Sequence, residues 1–270
     1  MKGRLLGGSV TFDDAADIYD ATRALPDDIA AKLTEAILAE LALLGADRLL
    51  EAGVGTGRIA RPLAERGIRV TGVDIAPRML GRLREQLGAG HTTPDLLLGD
   101  ATRLPIADGA YGAALVVHLL HLVSSLDGAI AELRRVLAPG GVLLDHLTRY
   151  AGDNPWMAAY RKWDEMLAKR NFQRRKRPRD EEIVAAIEAG GATRRTVEVA
   201  SEIVRSTPAE HFERTSKRTD SWSWFIPDDL FAECLPEFED WCRHHYGHMQ
   251  RVFAQEARHE LDVWSFSTRS

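Results

Sequence analysis

The sequence predicts an α/β protein built on a doubly wound parallel sheet. Short apolar runs alternate with helix-period segments from Arg48 to Thr148, with almost no long loops between them. A glycine-rich stretch, Leu49 to Ala60, separates the first run from the first helical segment of that series. The next two runs end on aspartates, Asp74 and Asp100, at the strand ends beyond which such sheets bind ligands.

The segment up to about Gly45 reads as helical. From Asp27 to Leu44, Ile29, Leu33, Ile37, Leu41 and Leu44 recur at helical spacing, and Gly45 follows as a C-cap. RLLEAG is then a short strand, and GTGRIARPLAERG opens a helix that Gly67 closes. IRVTGVDI is a second strand, rich in β-branched residues. PRMLGRLREQLG is a helix with Pro77 in its first turn, and DLLLGD is a third strand. YGAALVVHLL is a fourth, nearly all apolar, as suits a strand covered on both faces. DGAIAELRRVLAPGG is a helix ended by Pro139-Gly140-Gly141, and VLLDHLT is the fifth strand.

After Thr148 the alternation stops. Helical insertions are expected at about 150–178 and 202–257, with strands RRTVEVAS and ELDVWSFST following them. In SWSWF (Ser221 to Phe225) an extended backbone would put Trp222 and Trp224 on one face. The organisation expected is a helical cover over 1–45 and one ligand-binding domain over 46–270.

Composition narrows the function. The chain has 270 residues, 45% of them hydrophobic, enough for a sizeable core. Its formal net charge of -5 gives no basic field to attract nucleic acid or an anionic membrane. The basic run Lys169 to Arg179 reads as a solvated helix end, with phosphate or RNA binding as the competing reading. The most apolar stretch, 113–123, contains His118 and His121 and is too short to span a bilayer. Cys234 and Cys242 read as free thiols in a reducing compartment, and the start has no apolar leader pattern, so a cytoplasmic location is expected. No metal site is expected.

Gly53, Gly55 and Gly57 let the backbone turn sharply and approach a ligand. Asp74 lies about 20 residues on, where a carboxylate can accept from ribose hydroxyls. This pattern fits NAD and S-adenosyl-L-methionine alike. GDATRLP (Gly99 to Pro105) and ELRRVLAPGGVLL (Glu132 to Leu144) separate the two.

With these motifs in order, Arg48 to Thr148 resembles the class I S-adenosyl-L-methionine-dependent methyltransferases, in particular the type 11 group that includes quinone-biosynthesis C-methyltransferases. The resemblance implies a Rossmann-like, mostly parallel seven-stranded sheet with one antiparallel strand near its end and helical lid insertions. It implies S-adenosyl-L-methionine as cofactor, released as S-adenosyl-L-homocysteine. Residue by residue, it implies that Glu51 meets the methionine amino group and that Gly53 and Gly55 pass the methionine end. Asp74 would bind the ribose hydroxyls, and Ile75 would pack on adenine. Asp100 would accept from the adenine amino group, with the Ala101 N–H on a ring nitrogen. His118 would face the methionine part through its backbone, and Tyr19 would cover the cofactor. A histidine satisfied inside the core is the competing reading of His118. One departure is Tyr111-Gly112, where the family usually carries an aspartate after the aromatic.

The activated methyl group needs little beyond orientation, and a base only if the acceptor must lose a proton. His121 is the base candidate, and a capping or structural role is its competing reading. The acceptor is expected to be a small molecule held among aromatics of the insertions, such as Trp156, Tyr160, His211 and Trp222. An RNA or protein acceptor, and a non-catalytic cofactor-binding regulator, are the alternatives.

Overall fold

The computed structural model describes residues 4–13, 16, 25–87, 93–152 and 154–266. The chain divides into two compact units: a larger one from 4–148, 177–200 and 259–270, and a smaller one that includes 149–176 and 201–258.

The larger unit opens with β1 (Arg4–Leu6) and β2 (Ser9–Thr11), an antiparallel hairpin. The helix expected of the N-terminal segment is therefore absent from these residues, and its first stretch among the described residues is α1 (Asp27–Leu43). Gly7 and Gly8 are the reason: their φ values of 57° and 92° form a turn that no helix contains.

The alternating series follows as β3 (Arg48–Ala52), α2 (Ala60–Glu65), β4 (Arg69–Asp74), α3 (Pro77–Gln86), β5 (Asp95–Leu98), β6 (Tyr111–Val117), α4 (Leu126–Val136) and β7 (Leu137–Tyr150). Beyond it lie α5 (Met157–Ala168), α6 (Asp180–Ala189), β8 (Ala192–Ser206), α7 (Pro208–Ser216), α8 (Asp228–Tyr246) and β9 (Phe253–Phe266). Pro139-Gly140-Gly141 does not separate helix from strand as expected. β7 already starts at Leu137, and the three residues lie where Tyr111 pairs with Leu137 but Ala113 pairs with Val142. Pro and Gly are accepted there because the bulged residues leave the ladder.

The sheet has seven strands in the order β5-β4-β3-β6-β7-β9-β8. The pairs from β5 through β7 are parallel. β9 runs the other way: Thr148 meets His259 while the Ala151 N–H donates to the Glu256 carbonyl, so numbers rise along the β7 side as they fall on β9. This is the mostly parallel seven-stranded sheet that the family resemblance implies.

Consecutive strand residues point to opposite faces, and both faces are buried. Leu50, Ala114, Val116 and Leu143 pack with Ile130 and Leu133 of α4 and Ile183 and Ile187 of α6. Their neighbours Leu49, Ala113, Leu115 and Leu144 pack with Leu33 and Ile37 of α1, Leu63 of α2 and Leu83 of α3. Each fully buried leucine or isoleucine contributes about 1.5–3 kcal/mol to holding these layers together.

The smaller unit has its own core. Phe231, Cys234, Phe238, Cys242 and Tyr246 form one stripe of α8 that packs with Ala159, Trp163, Met166 and Leu167 of α5. Both cysteines are buried and unpaired. SWSWF is not extended: Ser221–Ser223 is a 3-10 turn. Ser223 bonds back to the Asp220 carbonyl through both its N–H (3.1 Å) and its hydroxyl (2.8 Å), a local bond that competes with strand formation. No helix among the described residues is long and apolar enough to cross a membrane.

Candidate cofactor site

The site sits at the C-terminal ends of β3, β4, β5 and β6, where the strand order reverses about β3. The loop after β3 makes its floor. Gly53, Gly55 and Gly57 have φ of 76°, 56° and 78°. A β-carbon at Gly53 would lie 2.8 Å from Leu119 Cδ1, and one at Gly57 would lie 2.2 Å from Leu83 Cδ1. Glycine is thus required on both conformational and steric grounds. The Gly53 and Val54 N–H groups donate to the Val73 carbonyl at 2.7 and 3.1 Å, which lays the loop against the end of β4.

One cavity is lined by Gly53, Gly55, Asp74, Ile75, Asp100, Ala101 and His118. The structure therefore gathers seven of the sequence-predicted residues around one space. Asp74 accepts from Gly55 N–H through one oxygen and from Ala76 N–H through the other, each at 2.8 Å. Burial raises its pKa to about 6, against the lowering effect of the Ala76, Gly55 and Ile75 amides. Asp100 accepts from the Thr102 N–H and hydroxyl, both at 2.9 Å. Its loop is clamped by the ELRR helix: Leu104 N–H donates to Glu132 at 2.7 Å, and Arg135 donates to the carbonyls of Ile106 and Leu104 at 2.7 and 3.1 Å.

Glu51 does not line the cavity. It is 2% exposed, and its Oε2 has no hydrogen-bond partner. Burial raises its carboxyl to about 8, the Arg58 charge lowers it, and Asp74 raises it. His118 is a non-glycine residue with φ of 50°, a left-handed backbone that costs of order 1 kcal/mol and is held by its surroundings. His121 is half-buried in the turn after β6 and is not among the cavity-lining residues. Tyr19 lies outside the described residues.

Two groups at the site escaped sequence reasoning. The first is the hairpin: Ser9, Val10 and Phe12 line the cavity. The second is His146, fully buried on β7 opposite Val117, with neither ring nitrogen hydrogen-bonded. Its ring lies edge-on to His118 at 5.4 Å and stacks on His259 at 5.9 Å. Among the described residues no cluster of three or more His, Cys, Asp or Glu could hold a metal ion.

The residues fit a cationic, ribose-bearing ligand. A buried Glu51 Oε2 without a hydrogen-bond partner suits an ammonium group. The glycine turn suits close backbone passage, and acceptor-only carboxylates suit hydroxyl and amino donors.

Comparisons with known proteins agree with this geometry. Residues 50–144 match the family model described as Methyltransferase domain. Malonyl-[acyl-carrier protein] O-methyltransferase of Serratia marcescens is 40% identical over 133 residues, 49% of this chain and 49% of that protein. Demethylmenaquinone methyltransferase of Tropheryma whipplei (strain Twist) is 35% identical over 135 residues, 49% of this chain and 55% of that protein. The chain thus spans about half the length of the curated relatives it matches. A phosphoethanolamine N-methyltransferase from Haemonchus contortus, solved with phosphomonomethylethanolamine and S-adenosylhomocysteine, shares the fold at a TM-score of 0.51. It is 15% identical, over 95% of this chain and 58% of that one. Over residues 50–144 the chain is thus similar to the methyltransferase domain family, and the curated relatives it matches are named methyltransferases.

Proposed function

We propose that the protein transfers the methyl group of S-adenosyl-L-methionine to a small-molecule acceptor and releases S-adenosyl-L-homocysteine. The observation that carries this reading is the unpartnered, buried Oε2 of Glu51 beneath the glycine loop of a matched methyltransferase domain. In this reading Glu51 holds the methionine ammonium, Gly53 and Gly55 pass the methionine chain, and Asp74 takes the ribose hydroxyls. Ile75 packs on the adenine, Asp100 accepts from its amino group, and the Ala101 N–H meets a ring nitrogen. His118 faces the methionine part through its backbone.

The bound sulfonium supplies an already electrophilic methyl group. The chain's own task is to bind, orient and exclude water. His121 would take a proton where the acceptor has one to lose.

The acceptor reading rests on the smaller unit. Trp156 stacks on His211 at 4.5 Å, and Tyr160 meets His211 and Trp222 edge-on, each at 5.8 Å. His211 Nε2 and Trp222 Nε1 are buried without hydrogen-bond partners. Flat apolar faces with spare polar atoms suit a planar small molecule carrying polar substituents. The two curated relatives are named for different acceptors, demethylmenaquinone and a malonyl group on acyl carrier protein. The family match, which ends at residue 144, does not choose between them.

The test is release of S-adenosyl-L-homocysteine from S-adenosyl-L-methionine over a panel of hydroquinones, malonyl thioesters and amines, with RNA and protein substrates alongside. Turnover with one class establishes the reaction. Turnover only with RNA or protein moves the acceptor to a macromolecule, and cofactor binding without turnover across all classes leaves a regulator. Full turnover by His121→Asn removes His121 as the base.

A further inference from the structure

We infer that the N-terminal hairpin is a selectivity strap for the purine end of the cofactor, with Ser9 as its positioning residue. The inference rests on the proposed placement of the adenine amino group at Asp100.

The Ser9 hydroxyl donates to Asp100 Oδ2 at 2.9 Å and accepts from the Ser124 N–H at 3.0 Å. The second bond fixes the first, because an oxygen that accepts from Ser124 is left to aim its proton at the carboxylate. Asp100 Oδ1 already accepts from the N–H and hydroxyl of Thr102. A carboxylate offers about four acceptor positions. The chain's own donors fill three of them. One acceptor position remains, on a carboxylate that lines the cavity and is held through both oxygens.

The strap is tied down elsewhere too. Val10 N–H donates to the Leu122 carbonyl at 3.0 Å, and Asp13 Oδ1 accepts from the Arg78 N–H at 2.8 Å. Phe12 packs against Ala76 and Met79. A β-carbon at Gly8 would lie 3.0 Å from Ser124 Cβ, so the turn is seated closely on the loop after β6. The hairpin is therefore bonded to the ends of β5, β6 and the start of α3, around the cavity that Ser9, Val10 and Phe12 line.

A carboxylate held as a pure acceptor accepts a 6-amino purine and opposes the lone pairs of a 6-oxo purine. A site whose buried polar groups are left unpaired by the wrong ligand discriminates strongly. Ser9 keeps that carboxylate from turning away from the 6-position toward the N1–H, the one donor that a 6-oxo purine offers on this edge.

The experiment compares S-adenosyl-L-homocysteine with S-inosyl-L-homocysteine by calorimetry, using wild type, Ser9→Ala and Ser9→Thr. Wild type should prefer the 6-amino ligand by at least about tenfold. Ser9→Ala should lose most of that preference, and Ser9→Thr, which keeps the hydroxyl, should retain it. In wild type, exchange of the Val10 amide should slow when S-adenosyl-L-homocysteine is added. An unchanged preference in Ser9→Ala, or an unchanged Val10 exchange rate, overturns the strap while leaving the cofactor assignment in place. Failure of wild type to bind either ligand overturns the cofactor placement and the strap with it.

Discussion

The Asp74 carboxylate accepts the backbone N–H of Gly55 at 2.8 Å and so ties the end of β4 to the middle of the glycine loop. The residue proposed to take the ribose hydroxyls is also a brace for the turn that passes the methionine chain. Asp74→Ala should lose both, raising the Kd for S-adenosyl-L-homocysteine at least tenfold, about 1.4 kcal/mol. Asp74→Asn should fail as well. One amide oxygen cannot replace two carboxylate oxygens, and its NH2 would face the Gly55 or Ala76 donor. Titration calorimetry reads both variants, and wild-type affinity in either removes Asp74 from the site.

Gly57 is set by Leu83, which is fully buried on α3. Gly57→Ala would place a methyl group 2.2 Å from Leu83 Cδ1 at a φ of 78°. Backbone strain and overpacking together should cost about 2–4 kcal/mol. In urea unfolding, adding Leu83→Ala should recover the steric part of that loss but not the backbone part. Strict additivity of the two substitutions would mean that they do not meet.

Sheet and cofactor loop were legible because their signals are local. Apolar runs, a glycine turn and strand-ending carboxylates each fall within a few residues, and Gly53, Asp74 and Asp100 duly share one cavity. The hairpin was not legible. Strands of three residues show no periodicity, and what holds Ser9 is an aspartate 91 positions away. His146 was missed for a related reason. In VLLDHLT nothing marks the imidazole as facing two other histidines, one of them on β9. The turn at Ser221–Ser223 escaped because serine bonds to its own backbone, which side-chain alternation cannot reveal.

His146 predicts an acid sensitivity. Burial, then the charges of His118, His259 and Arg58, pushes its pKa well below the ordinary imidazole range. Below about pH 6.5 the unfolded chain takes a proton that the folded chain refuses, so stability falls as pH falls. The slope from this group approaches about 1.4 kcal/mol per pH unit. His146→Phe should lose less stability than wild type between pH 7.5 and 5.5. His211, pushed down to about 4 by burial, supplies a similar slope that remains in the variant. Parallel wild-type and variant curves in urea unfolding would mean that His146 titrates normally.

Glu51 works in the opposite direction. Its folded pKa of about 8 lies above the ordinary carboxyl value of 4.5. Between those values the folded chain keeps a proton that the unfolded chain has released, so stability falls as pH rises, by roughly 4–5 kcal/mol across the whole window. Glu51→Gln carries no such proton, and its stability relative to wild type should increase steadily from pH 6 to 8.5. Binding should move the other way. An ammonium group meeting Glu51 favours the carboxylate, so wild-type affinity for S-adenosyl-L-homocysteine should rise over the same range and proton release should accompany binding. Calorimetry in buffers of different ionisation enthalpy measures that release. Glu51→Gln should bind at least about tenfold more weakly at pH 8 and release no proton. A variant that is more stable at pH 8 yet binds as tightly as wild type would show that Glu51 is a buried structural acid and does not hold the ammonium.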